Sequence, residues 1–162
     1  MGIFKPNYFY DKIWDIPVSF LIENDFKCVL LDVDNTLTTH DNPEPRSEIF
    51  AWLEQIKDAG IFPVVVSNNT EPRVTPFAER IGTKFVSHAK KPLSKGTKEA
   101  IKLTGLSKKQ MLVIGDQIFT DILFGKWSGV KTVLVEPFEL ETMPFFKIKR
   151  FLESVILGRK RG

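Results

Sequence analysis

From Lys27 onward, runs of consecutive apolar residues alternate with longer stretches in which apolar positions recur every three or four residues. Lys27-Cys-Val-Leu-Leu-Asp-Val33 is apolar at successive positions, the pattern of a strand covered on both faces. Residues 45–59 then place Ile49, Phe50, Leu53 and Ile56 at helical spacing, with Pro45 suited to the first turn and Gly60 to the C-terminal cap. The alternation continues with a strand at 61–67, a helix at 71–81 closed by Gly82, and a strand at 84–86. A helix at 95–103, a strand at 111–115, a helix around 119–127 and a strand at 131–135 complete it. Strands separated by helices require right-handed crossovers, and therefore parallel pairing. The predicted fold is a three-layer α/β/α Rossmann-like domain with a mainly parallel five-stranded sheet over about residues 25–140 of a single domain spanning 1–162.

The two ends read differently. Residues 1–24 carry the aromatics Phe4, Tyr8, Phe9 and Trp14, which read as core or subunit contacts. In residues 142–162, Ile148, Phe151, Leu152 and Val155 form a helical stripe extended by Phe145. This stripe is expected to pack on the sheet as a final helix, with the basic residues beside it free to face an anionic membrane.

Charge gives that second possibility weight. The net +3 of the 162 residues divides unevenly: residues 147–162 hold six basic residues against Glu153, a local +5, and residues 1–146 carry −2. A body of that sign is not shaped for nucleic acid, and none is expected as a partner. Cys28 is the single cysteine and His40 and His88 the only histidines, which excludes a disulfide framework and a Cys- or His-rich metal site. Cys28 lies within a strand and reads as an inert core thiol, and His88 as a loop residue. No run of about 20 apolar residues is present, and the N-terminus has no secretory pattern, so the expected location is cytoplasmic, peripheral at the inner face of the membrane.

In an open parallel sheet, ligands bind beyond the carboxyl ends of the strands. Asp32-Val-Asp34-Asn35-Thr36 follows the first predicted strand and Ser67-Asn68-Asn69-Thr70 the second. Lys90-Lys91-Pro92 follows the third, and Gly115-Asp116 with Asp121 the fourth. Singly these are ordinary: an Asp-x-Asp pair is usually a turn, a lysine pair a solvated surface, and Asp116 a helix cap. The first loop is not an EF-hand, because Leu37 stands where Gly is required and Pro43 where the closing Glu belongs. Together the residues point to phosphoryl transfer. Clustered carboxylates repel unless a cation sits among them, and an all-oxygen set suits Mg²⁺. Asp32 can attack phosphorus to give an aspartyl-phosphate; Asp34 can protonate the leaving oxygen and then activate water; Ser67 and nearby N–H groups can hold phosphate oxygens.

That ordered set resembles the haloacid dehalogenase (HAD) superfamily of phosphatases, subfamily IIIA, over about residues 26–136. Asp32-x-Asp34-x-Thr36 corresponds to its first motif, Ser67 to its second, Lys91 (or Lys90) to its third, and Gly115-Asp116 with Asp121 to its fourth. The resemblance implies Mg²⁺ held by the Asp32 side chain, the Asp34 carbonyl and the Asp116 carboxylate. It further implies phosphate contacts from Ser67, Asn68 and Lys91, with Thr36 and Asp121 supporting them from behind. Only 34 residues separate Asp32 from Ser67 and 23 separate Ser67 from Lys91, each filled by core elements, so no cap domain is expected. An open site favours a large substrate, unless a neighbouring subunit of a homo-oligomer covers it. Leu-Leu-Asp-Val-Asp-Asn-Thr-Leu, Val-Val-Ser-Asn-Asn and Gly-Asp-Gln-Ile-Phe-Thr-Asp-Ile are similar to the YqeG-type branch, related to the mitochondrial phosphatidylglycerophosphate phosphatase. That relation implies an anionic phospholipid monophosphate as substrate. A soluble sugar or nucleotide phosphate is the alternative, and a non-enzymatic module binding RNA, ribosomes or a partner the third reading. Arg73 reads as a surface helix residue or as a contact for a second phosphate.

Overall fold

A computed structural model describes residues 2–39, 44–138 and 144–158. Six strands are all paired in parallel in the order β1-β6-β5-β2-β3-β4. They are β1 (Tyr8–Tyr10), β2 (Cys28–Leu31), β3 (Phe62–Val66), β4 (Lys84–Val86), β5 (Met111–Gly115) and β6 (Lys131–Val135). The helices are α1 (Val18–Glu23), α2 (Ser47–Asp58), α3 (Glu71–Ile81), α4 (Lys95–Thr104), α5 (Leu123–Ser128) and α6 (Pro144–Leu157). The expected three-layer parallel architecture is present, with six strands in place of five.

The additional strand is β1, which adds to the free edge of β6. Three residues are too few to show a period, and aromatic side chains suit helix and strand contacts alike, so the chain pattern there is silent. Tyr8 and Trp14 pack against the main core, while Phe4 and Phe9 pack against Ile118, Ile122 and Leu134.

Alternation along the strands separates the two cores. In β2, Val29 and Leu31 face Ile49, Trp52, Leu53 and Ile56 of α2 and Val74, Phe77 and Ile81 of α3. Cys28 and Leu30 face the other side, with Ala100 of α4 and Phe124 of α5. The Trp52 indole N–H donates to the Ile16 carbonyl at 2.9 Å and ties α2 to the N-terminal segment. Strand order reverses between β2 and β5: the chain runs outward through β3 and β4, then returns to start β5 on the opposite side of β2. The ends of β2 and β5 are therefore the natural crevice of this sheet.

The C-terminal stripe departs from expectation. Ile148, Phe151, Leu152 and Val155 are exposed, whereas Arg150 and Glu153 on the same helix are buried. Helix α6 docks through its charged edge and leaves its apolar face outward. The Phe145 side chain and Arg159-Lys160-Arg161 lie outside the described residues.

Candidate active site

The loop after β2 begins by prolonging the sheet, with the Asp32 N–H donating to the Ile114 carbonyl at 3.1 Å. It then turns sharply: the Val33 carbonyl accepts from Leu37 N–H at 2.9 Å, and Asn35 adopts a left-handed φ of 58°. Asparagine tolerates that region better than most residues because its side chain bonds locally. The turn brings the Thr36 hydroxyl within 3.5 Å of both Asp32 Oδ2 and Asp116 Oδ1.

At the end of β3, Ser67 is buried; its N–H donates to the Val86 carbonyl at 2.9 Å and its Oγ accepts from Asn69 N–H at 3.1 Å. The Asn68 side chain clamps the backbone of Lys91, accepting from its N–H at 2.7 Å and donating to its carbonyl at 3.1 Å. The Asn68 side chain is thus committed to Lys91, while Asn68, expected from the sequence to contact phosphate, still lines the cleft. Of the two lysines, Lys91 enters the cluster and Lys90 is exposed. Lys91 Nζ donates to Asp32 Oδ1 at 2.9 Å and to Asp121 Oδ1 at 2.7 Å.

Asp121 comes from a π-helical turn, Ile118–Ile122, set between β5 and α5. Gly115 is required there: a Cβ at that position would lie 2.3 Å from Asp121 Cγ. Oxygens of Asp32, Asp116 and Asp121 lie within 4.8 Å of one another. Asp34 stands apart from this trio, accepting from Asn69 Nδ2 at 3.0 Å and from Arg73 Nη2 at 2.9 Å.

The contribution the sequence reading missed is α6. Arg150 Nη2 donates to Asp116 Oδ2 at 2.5 Å, and Nη1 to the Asp116 carbonyl at 2.6 Å and Glu153 Oε2 at 3.0 Å. Glu153 Oε1 accepts from Ile118 N–H at 2.8 Å, and Lys149 Nζ donates to Gln117 Oε1 at 2.7 Å. The available signal was Glu153 itself, the single acid in the last sixteen residues, one helical turn from Arg150 and off the apolar stripe.

Burial and mutual repulsion shape the charges. Asp116 has its pKa raised by burial first and then by Asp32 and Asp121, with Arg150 opposing. Asp121 is raised by burial and by Asp32 against the pull of Lys91. Burial alone would lower the pKa of Lys91, but Asp121 and Asp32 outweigh it and raise it. Lys149 is lowered by burial against the pull of Glu153, Asp121 and Asp116, with Arg150 adding to the lowering. The Cys28 thiol is pushed up to about 12 by burial, consistent with an unreactive core group. Within the cluster, the four carboxylates of Asp32, Asp116, Asp121 and Glu153 meet the two cations Lys91 and Arg150. The surplus of carboxylates and the all-oxygen donor set fit one hard divalent cation such as Mg²⁺.

Asp32, Asp34, Ser67, Asn68, Lys91 and Lys149 line a cleft of about 300 Å³. A neighbouring cleft of about 530 Å³ shares Ser67 and Asn69 and is walled by Arg73, Phe77 and Arg80 of α3. His88 stands outside both clefts, exposed, with φ 46° and its N–H donating to the Asn69 carbonyl.

The chain is 39% identical to the probable phosphatase YqeG of Bacillus subtilis over 96% of its own length and 90% of that protein's. It is 28% identical to phosphatidylglycerophosphate phosphatase 1, chloroplastic/mitochondrial, of Arabidopsis thaliana, over 83% of its length and 41% of that protein's. Among solved structures, the fold is shared with the cobalt-bound deoxy-D-mannose-octulosonate 8-phosphate phosphatase of Haemophilus influenzae at TM-score 0.57 and 17% identity, covering 85% of this chain and 90% of that one. A HAD subfamily IIIA hydrolase of Legionella pneumophila aligns at TM-score 0.50 and 22% identity, over 60% of this chain and 59% of that one. Residues 2–139 match the family described as mitochondrial PGP phosphatase, and the chain belongs to that family of phosphoric monoester hydrolases, with a fold shared with HAD hydrolases.

Proposed function

We propose that the protein is a Mg²⁺-dependent phosphatase that converts phosphatidylglycerophosphate to phosphatidylglycerol through an aspartyl-phosphate on Asp32. The observation that carries the chemistry is the meeting of Asp32, Asp34, Ser67 and Lys91 on one cleft, with Asp116 beside Asp32. The family match and the Arabidopsis relative support the lipid.

Asp32 Oδ2 attacks phosphorus while Lys91 holds Oδ1. Asp34 gives a proton to the departing oxygen and then takes one from the water that hydrolyses the intermediate. Lys91, the Ser67 hydroxyl and the backbone N–H of Asn68 hold phosphate oxygens, fixed donors that reward the charge of the transition state. Thr36 and Asp121 keep Asp32, Asp116 and Lys91 in place. The Asp32 and Asp116 carboxylates and the Asp34 carbonyl would hold Mg²⁺, which when bound would supply the positive charge that lets a phosphate dianion approach a carboxylate.

The reading includes a membrane contact. None of the described helices is long and apolar enough to cross a bilayer. Helix α6 instead presents Ile148, Phe151, Leu152 and Val155 outward beside the exposed Lys147, and the sequence continues into Arg159-Lys160-Arg161. An apolar stripe flanked by cations suits an anionic lipid surface next to the cleft.

The test is phosphate release from phosphatidylglycerophosphate in mixed micelles with Mg²⁺. Release that is lost in Asp32→Asn is expected. Turnover of soluble sugar or nucleotide phosphates with no release from the lipid overturns the substrate. Cosedimentation with phosphatidylglycerol vesicles, against phosphatidylcholine vesicles, checks the membrane contact. Equal binding to both, or a concentration-dependent dimer that buries α6, contradicts it.

A further inference from the structure

Three cations at or beside the catalytic cleft are committed to carboxylates: Lys91 to Asp32 and Asp121, Arg150 to Asp116 and Glu153, and Arg73 to Asp34. Lys149 is placed differently: the carboxylates whose charge it feels, Glu153, Asp121 and Asp116, are already paired with Arg150 and Lys91. Its ammonium lines the cleft together with Asp32, Ser67 and Lys91, and its bond there is to a neutral atom, Gln117 Oε1, at 2.7 Å. The same Gln117 oxygen accepts from the Thr120 hydroxyl at 3.0 Å, so the amide that steers Lys149 is itself held. The backbone beneath Lys149 is fixed by the adjacent residue, because Arg150 is locked onto Asp116 and Glu153.

A half-buried ammonium steered toward a cleft by a neutral amide is prepared for an anion that arrives with the ligand. The phosphomonoester has its own partners in Lys91, Ser67 and the metal-ligand cluster. A cleft of about 300 Å³ is small enough that a phosphate seated against Lys91 brings groups a few bonds away to its wall. We infer that Lys149 binds a second anionic group carried on the leaving-group side of the phosphomonoester, such as a phosphodiester, and so sets specificity for doubly anionic substrates. The inference rests on the phosphatase activity of this cleft and does not require that the substrate be a lipid.

Two soluble probes separate the possibilities. Glycerol 1-phosphate carries the phosphomonoester alone; glycerophosphoglycerophosphate, the deacylated headgroup, adds one phosphodiester. Replacing a charge-assisted hydrogen bond is expected to raise KM for the double anion about tenfold more than for glycerol 1-phosphate in Lys149→Gln, with kcat changing by less than about twofold. Lys149→Arg, which keeps the charge, is expected to recover most of the difference. Calorimetric affinities of both probes for Asp32→Asn, with and without Lys149→Gln, give the same ratio without turnover and decide the matter if catalysis is too slow to measure. Unaltered thermal midpoints certify the fold. A Lys149→Gln effect of equal size on both probes, or a loss confined to kcat, overturns the inference. Failure of the lipid reading shows separately, as micellar phosphatidylglycerophosphate left intact while the ratio between the soluble probes persists.

Discussion

In α2, Ile49, Trp52, Leu53 and Ile56 lie on one face and all are buried at 2% exposure or less. In α6, Ile148, Phe151, Leu152 and Val155 also share a face, yet they stand 47–66% exposed while Arg150 and Glu153 turn inward. Helix α2 connects β2 to β3, neighbouring strands, and has little choice but to lie on the sheet between them. Helix α6 follows β6 and reaches the site from outside that constraint. The buried Asp116 carboxylate needs a cation from some part of the chain, and Arg150 meets that need at 2.5 Å. An apolar stripe can be covered by lipid or by another protein; an uncompensated carboxylate in the interior has no such substitute. The contrast teaches that a helical stripe announces a face requiring a partner without saying where the partner lies.

The comparison can be broken most severely at Arg150. Arg150→Ala strands Asp116 and Glu153 together in the interior and is expected to cost about 3–5 kcal/mol in denaturant unfolding. A variant as stable as the parent would mean that α6 does not dock through its charged edge. In α2, Leu53→Ala removes a fully buried side chain and is expected to cost about 2–5 kcal/mol by the same measurement.

A smaller effect comes from the carboxylate cluster. Asp116 and Asp121 have raised pKa values in the fold, so they bind their protons more tightly folded than unfolded. The stability this lends is complete below their ordinary range near 3.8 and is lost as pH rises through the folded values. Protons therefore compete with Mg²⁺, and the rise in thermal midpoint on adding Mg²⁺ is expected to grow as pH rises above the ordinary carboxylate range. At a hundredfold excess over Kd the gain is about 2.7 kcal/mol. A shift independent of pH, or one unchanged in Asp116→Asn, argues against metal binding among these carboxylates.

The smallest effect on the fold is expected where α6 faces outward. Phe151→Ser should alter stability by less than about 0.5 kcal/mol, the range of surface substitutions, while weakening binding to anionic vesicles severalfold. A loss of stability comparable with Leu53→Ala would place Phe151 in a packed interface after all.

Much of this was legible in the chain. The runs at 27–33, 61–67 and 111–115 became β2, β3 and β5 because a strand covered on both faces must be apolar on both, and Cys28-Val-Leu-Leu31 supplies both cores at once. Asp32, Ser67, the Lys90-Lys91 pair and Asp116 could be found because strand ends are fixed by those runs, and the residues just beyond them share one rim. The choice between Lys90 and Lys91 was not legible: one residue decides whether a side chain enters the cluster or meets solvent, and the deciding contact is the Asn68 clamp on the Lys91 backbone. Strand β1 was too short to show a period, and its pairing with β6 spans more than a hundred residues of sequence. Lys149 and Arg150 stayed hidden because the apolar stripe dominated the reading of their helix.

The account turns on Asp32 as the residue that carries the phosphoryl group. Rapid quenching of the protein during turnover of phosphatidylglycerophosphate, borohydride reduction and peptide mass spectrometry report which carboxylate was phosphorylated. Homoserine is expected at position 32 in the wild-type protein and at no other Asp or Glu. Reduction at Asp34, Asp116 or Asp121, or none in a protein trapped while releasing phosphate, would contradict it.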